Sequence, residues 1–103
     1  MRPTVVSPFL VEGRRYVLSF GRLEWVRNAQ AAGWGLLSRG RRTAKVSLVE
    51  VRSPENRSIV GAFPRQIPAG VRFFTMLGLV ERPGRPDQFE DAADRLTLFR
   101  VDG

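Results

Sequence analysis

The side chains able to do chemistry in this chain are overwhelmingly arginine. Of 17 basic residues only Lys45 is a lysine, and against 10 acidic residues they leave a formal net charge of +7. A guanidinium presents a planar fork of donors that matches phosphate and carboxylate oxygens, so the bias points to an anionic partner. On composition alone, an arginine-rich proteome with no ligand behind it accounts for the charge equally well. Histidine and cysteine are both absent. That removes disulfides, imidazole and thiolate metal ligands, cysteine nucleophiles and the Ser-His-Asp pairing, and no metal site is expected. Catalysis then leans on a bound cofactor or on Arg, Tyr, Ser and Glu. One place offers backbone donors to an anion: Ser19-Phe20-Gly21 ends a strand just before a helix start, with a glycine that permits close approach. One helical turn further on, Trp25 and Asn28 lie side by side; spacing alone equally allows Trp25 as core and Asn28 as a surface amide.

These residues need a scaffold, and 103 residues suffice for one hydrophobic core. The charged residues, 26% of the chain, are mixed with 43% hydrophobic ones, as in ordinary globular domains. Thr4 to Leu10 reads as an edge strand broken by Pro8, Glu12-Gly13 as a turn, and Arg15 to Phe20 as a strand of period two, the pair forming a hairpin. The period then changes. Trp25, Asn28, Ala29 and Ala32 fall on one stripe of a helix spanning about Leu23 to Ala32, which Gly33 closes. Trp34 to Arg39 and Thr43 to Val51 form a second hairpin about Gly40-Arg41-Arg42, with a basic tip of Arg39, Arg41, Arg42 and Lys45. Ser53-Pro54-Glu55 marks the start of a helix running to about Ala62, with Pro64 and Pro68 as stops. Val71, Phe74, Met76 and Leu77 predict a short second helix, and Phe73 and Phe74 read as core. Pro83 to Pro86 form a loop, Asp87 with Glu90 predicts a capping box for a last helix to about Arg95, and Leu96 to Val101 is a final strand. This order lacks regular βαβ alternation, so the class is α+β: an antiparallel barrel of about five to six strands with flanking helices.

The run Ser19-Phe20-Gly21 followed by Glu24-Trp25-Val26-Arg27-Asn28-Ala29-Gln30-Ala31-Ala32-Gly33 resembles the deazaflavin-dependent nitroreductase family where a strand end passes into a helix. The similarity continues through Leu36 to Val51 and returns at Ala93 to Val101. The resemblance implies a single split β-barrel domain over residues 1–103 that binds a deazaflavin (coenzyme F420), with FMN as the alternative cofactor. It places Ser19, Phe20 and Gly21 at the turn against the cofactor and Trp25 and Asn28 on the adjoining helix, and it names no catalytic residue. The family's upstream Thr-Gly-Arg motif for the cofactor phosphate has no counterpart here. Two expectations follow: the start is truncated, or Arg2 and the hairpin arginines supply the anion site.

The resemblance makes the chain a reductase that passes hydride from the reduced cofactor to a small electrophile of nitro or quinone type. A cofactor-free member acting as a binding or regulatory module is the alternative. Nucleic acid is a third candidate partner, carried by charge alone and by no motif, and so is not expected. No stretch predicts a membrane span and no secretory signal is evident, giving a cytoplasmic expectation, and a homodimer would let two chains complete one site.

Overall fold

The structure is a computed structural model that describes residues 4–5, 8–21, 23–39 and 41–102. Glu12 and Gly13 both take positive φ, 52° and 78°. A two-residue turn of that hand matches the twist of flanking strands, and it joins β2 (Phe9–Val11) to β3 (Arg14–Ser19) as an antiparallel pair. The hairpin expected here is present, but the stretch from Thr4 to Leu10 is not one strand. Pro8 cannot donate to a ladder, and the chain divides there. Its first part, β1 (Thr4–Val5), pairs in parallel with β4 (Trp34–Arg39) at the other edge of the sheet.

β4 and β5 (Arg42–Glu50) form the second hairpin, with Arg39 opposite Arg42. β6 (Thr97–Asp102) inserts between β5 and β3, so the sheet order is β1-β4-β5-β6-β3-β2. Strands β4, β5, β6, β3 and β2 are antiparallel throughout. Laid flat, six strands at about 4.8 Å spacing would hold the outer strands about 24 Å apart. Yet Val5 and Phe9, on opposite edges, are separated by a chain that reaches about 15 Å at most. The sheet is therefore curled, though no ladder joins its two edges among the described residues.

Both faces of this sheet are covered, which is why Tyr16, Val17, Leu18 and Ser19 are all buried despite their alternation. On one face Val17, Val46, Leu48, Phe99 and Val101 pack against Val26 and Ala29 of α1 (Glu24–Ala32). The small Ala29 lets the helix approach closely. Trp25 is half-buried at the margin of that contact, while Asn28 and Ala32 are exposed. The buried stripe thus lies one position round from the predicted one, because the helix docks through Val26. Gly33 ends the helix as expected, at φ 78° with its N–H on the Ala29 carbonyl at 2.7 Å.

The other face carries Phe9, Tyr16, Leu18 and Leu98 under the remaining helices. α2 (Asn56–Gln66) begins after a turn at Ser53–Glu55, and no side chain caps it, contrary to the Ser53 expectation. Pro64 does not stop it either. Pro64 sits in the last turn, which Phe63 anchors through edge contacts with Phe9 and Phe74, and the Ile67 N–H still reaches the Phe63 carbonyl at 2.9 Å. Pro68 starts α3 (Pro68–Met76) from its first turn, where a missing N–H costs nothing. In α4 (Pro86–Asp91) the predicted Asp87–Glu90 box is replaced by Gln88. Its Oε1 accepts from the Gly84 and Arg85 N–H groups at 2.9 Å each, and its Nε2 donates to the Arg82 carbonyl. A single 3-10 turn, Ala93–Arg95, then leads into β6. Phe74 is core as read, whereas Phe73 is half-exposed on the outer side of α3.

The outer edge of β2 is closed by a side chain. Gln66 at the end of α2 accepts from the Leu10 N–H at 2.8 Å through Oε1 and donates to the Leu10 carbonyl through Nε2. An amide thereby takes the place of one residue of a missing strand.

Candidate functional site

β3 ends at Ser19, whose cross-strand partner is Thr97. This pairing carries the residues after one strand, Phe20 and Gly21, to the turn before the other, which ends at Arg95. Both hydroxyl residues are buried, on the face that α1 covers. The corner opens outward into a cleft of about 520 Å³ lined by Phe20, Gly21, Leu77, Gly78, Leu79 and Arg95. Its volume falls in the range of small-molecule pockets.

Each wall has a local cause. Phe20 is held against Phe73, with ring centroids 5.8 Å apart. Gly78 ends α3 with φ 72°, and its N–H reaches the Thr75 carbonyl at 3.1 Å. This turns Leu79 back over the cleft and Val80 into the core. Arg95 projects from the turn before β6, with Nη1 at 3.5 Å from the Leu79 carbonyl. Among the described residues no carboxylate lies within ion-pair distance of that guanidinium, although Glu81 and Asp91 border a neighbouring cleft with it. Among the described residues a Cβ at Gly21 would meet only the Thr97 Oγ1, at 3.8 Å, and its φ is not left-handed. The open side of Gly21 is the cleft.

The five candidate residues separate in space. Phe20 and Gly21 line the cleft and Ser19 is buried directly behind them. Trp25 faces away, its ring 6.1 Å from that of Phe99 in the core beneath α1. Asn28 is exposed further along the helix. Sequence reasoning missed Leu77, Gly78, Leu79 and Arg95, all distant in the chain. The one available signal was an arginine immediately before the last strand.

The basic hairpin cannot serve this cleft within one chain. β3 ends, β6 begins and β5 ends at the same side of the sheet, whereas the tip holding Arg41 and Arg42 lies at the opposite end. The nine residues of β5, at about 3.4 Å each, set them roughly 27 Å apart. Lys45 there is engaged by Trp34, its Nζ 4.4 Å from the ring centroid. Arg2, the other candidate for the anion site, lies outside the described residues.

A second cleft of about 510 Å³, lined by Arg72, Thr75, Met76, Arg82 and Pro83, also borders α3. Four arginines elsewhere are matched to acids: Arg52 to Glu50 at 3.6 Å, Arg57 to Asp91 at 3.3 Å, Arg85 to Asp87 at 3.3 Å and Arg100 to Asp102 at 3.0 Å. The hydrogen bonds that Arg100 donates to Asp102, with that carboxylate's charge, raise the Arg100 pKa above its ordinary value. Comparison with protein families, curated proteins and solved structures finds no match to this chain. No helix among the described residues is long and apolar enough to cross a membrane.

Proposed function

We propose that the chain is a split-barrel reductase that holds a deazaflavin, or FMN in its place, in the cleft at the end of β3. The observation that carries this reading is the composition of that cleft: apolar walls from Phe20, Leu77 and Leu79, a floor at Gly21, and the Arg95 guanidinium, which no carboxylate among the described residues pairs. A flat ring bearing negative charge fits such a donor set. When bound, the reduced coenzyme supplies hydride to a small electrophile of nitro or quinone type. Phe20, Leu77 and Leu79 exclude water from the ring, Gly21 and Gly78 admit it close to the backbone, and Arg95 pairs with its anionic group. Ser19 holds the turn from behind. Trp25 packs on Phe99 beneath α1, and neither it nor the exposed Asn28 lines the cleft. The curled sheet supports a barrel, and a cytoplasmic homodimer belongs to the same proposal.

Titration of the protein with the deazaflavin, followed by coenzyme fluorescence, tests this reading. Saturable binding is expected, about ten-fold weaker in Arg95→Ala, the equivalent of about 1.4 kcal/mol. No binding at millimolar coenzyme, for both deazaflavin and FMN, removes the proposal.

The distance of Arg41 and Arg42 from the cleft supports a second reading, a cofactor-free binding or regulatory module, since one arginine is a sparse site for a polyanion. Native mass measurement separates the two: a chain that carries no small molecule and takes up none on incubation with coenzyme is the module.

A further inference from the structure

The tip of α3 presents an apolar ridge to solvent. Phe73, Met76 and Leu77 are neighbours at i, i+3 and i+4, and they are 49%, 75% and 50% exposed. These are large side chains that most folded domains bury, and a contiguous group of them marks an interaction surface. The Phe73 ring is held edge-on to Phe74 at 5.4 Å and tilted against Phe20 at 5.8 Å.

Charge surrounds the ridge on both flanks. Met76 shares one cleft with Arg72 and Arg82, and Leu77 shares the other with Arg95. None of these three arginines has a carboxylate within ion-pair distance among the described residues, although Arg52, Arg57, Arg85 and Arg100 elsewhere do. From Pro68 to Val80 the chain contains no acidic residue. We propose that the α3 tip docks this protein onto the surface of an anionic lipid bilayer, with Phe73, Met76 and Leu77 entering the headgroup–acyl boundary and Arg72 and Arg82 engaging lipid phosphates.

Three features select this occupant. A second copy docked by two-fold symmetry would face the same patch and bring two sets of unpaired arginines together. Nucleic acid would use the guanidiniums but leave Met76 and Leu77, which offer no ring for stacking, without a role. A bilayer carrying acidic lipids uses both the apolar crest and the cationic flanks, and each arginine near such a surface strengthens attachment about five-fold. Phe73, Met76, Arg72 and Arg82 stand outside the proposed cofactor cleft, which Leu77 borders, so docking through them does not rest on that reading.

The test is co-sedimentation of the full chain with vesicles of phosphatidylcholine alone and with about one third phosphatidylglycerol, at low and high salt. Binding is expected on the anionic vesicles only, and it should weaken as salt screens the arginines. Met76→Glu should reduce binding at least about ten-fold, and Arg72→Ala about five-fold. Both positions are exposed, and an unchanged thermal midpoint verifies the fold. Equal binding to neutral vesicles, no binding at millimolar anionic lipid, or binding indifferent to Met76→Glu overturns the proposal. So does the absence of lipid binding together with a dimer, in size-exclusion chromatography, that Met76→Glu dissociates.

Discussion

Gly84→Ala tests how α3 is seated against α4, and both clefts depend on that seating. Gly84 has φ 84°, and a Cβ there would fall 2.4 Å from Val71 Cγ1, 3.2 Å from Thr75 Cγ2 and 3.4 Å from Phe89 Cε2. The nearest of these belongs to a β-branched side chain on a helix, which has one preferred rotamer and cannot swing aside. α3 must therefore move. The left-handed backbone costs alanine about 1 kcal/mol and the overpacking about 1–3 kcal/mol, offset by about 0.4–1 kcal/mol from the stiffer unfolded chain. A net loss of about 2–3 kcal/mol is expected, which for a domain of this size lowers Tm by roughly 10–20 °C. Urea unfolding and calorimetry of the purified chain measure it. A double-mutant cycle with Val71→Ala isolates the contact, and the pair should be less destabilised than the sum of the singles by about 1 kcal/mol. A Gly84→Ala protein within about 0.5 kcal/mol of wild type, or strict additivity in the cycle, refutes this account of the α3–α4 contact.

Gln66→Ala should destabilise by about 1–2 kcal/mol through loss of its two bonds to Leu10, and amide exchange should show Leu10 unprotected. Phe63→Ala should cost about 3–5 kcal/mol in urea unfolding, because its ring contacts Phe9, Phe74 and Phe89 at once. Gly21→Ala should leave stability within about 0.5 kcal/mol, since its Cβ meets only Thr97 Oγ1, while coenzyme affinity in the fluorescence titration falls. Asp102→Ala should leave the urea midpoint close to that of wild type, because the pair with Arg100 is open to solvent.

Local chemistry in the sequence determined the local elements. Glu12-Gly13 makes a tight hairpin because a glycine accepts positive φ, Gly33 ends α1 for the same reason, and the alternation in Arg15 to Phe20 is a strand. Even the absence of histidine and cysteine narrowed the chemistry before any fold was considered. Punctuation by proline was less legible. Pro64 and Pro68 stop helices in principle, but whether a proline ends, interrupts or begins one depends on which turn it occupies, and here packing of Phe63 and Phe74 decided that. The helix caps moved for a similar reason: Gln88 reaches three backbone groups that a folded loop brings together, which no spacing rule for Asp87 and Glu90 foresees.

The site needed the tertiary structure. Ser19-Phe20-Gly21 could be singled out as a strand end, but its opposite wall comes from Leu77 to Leu79 and Arg95, brought there because the last strand enters the middle of the sheet beside β3. The same insertion sends the basic hairpin to the other end, although in sequence it stands closer to Gly21 than Arg95 does. Residue types and short-range periods are local quantities and can be read along the chain. Which residues meet across a cleft is set by strand order and by the faces that helices cover, and these depend on burying two separate apolar surfaces at once.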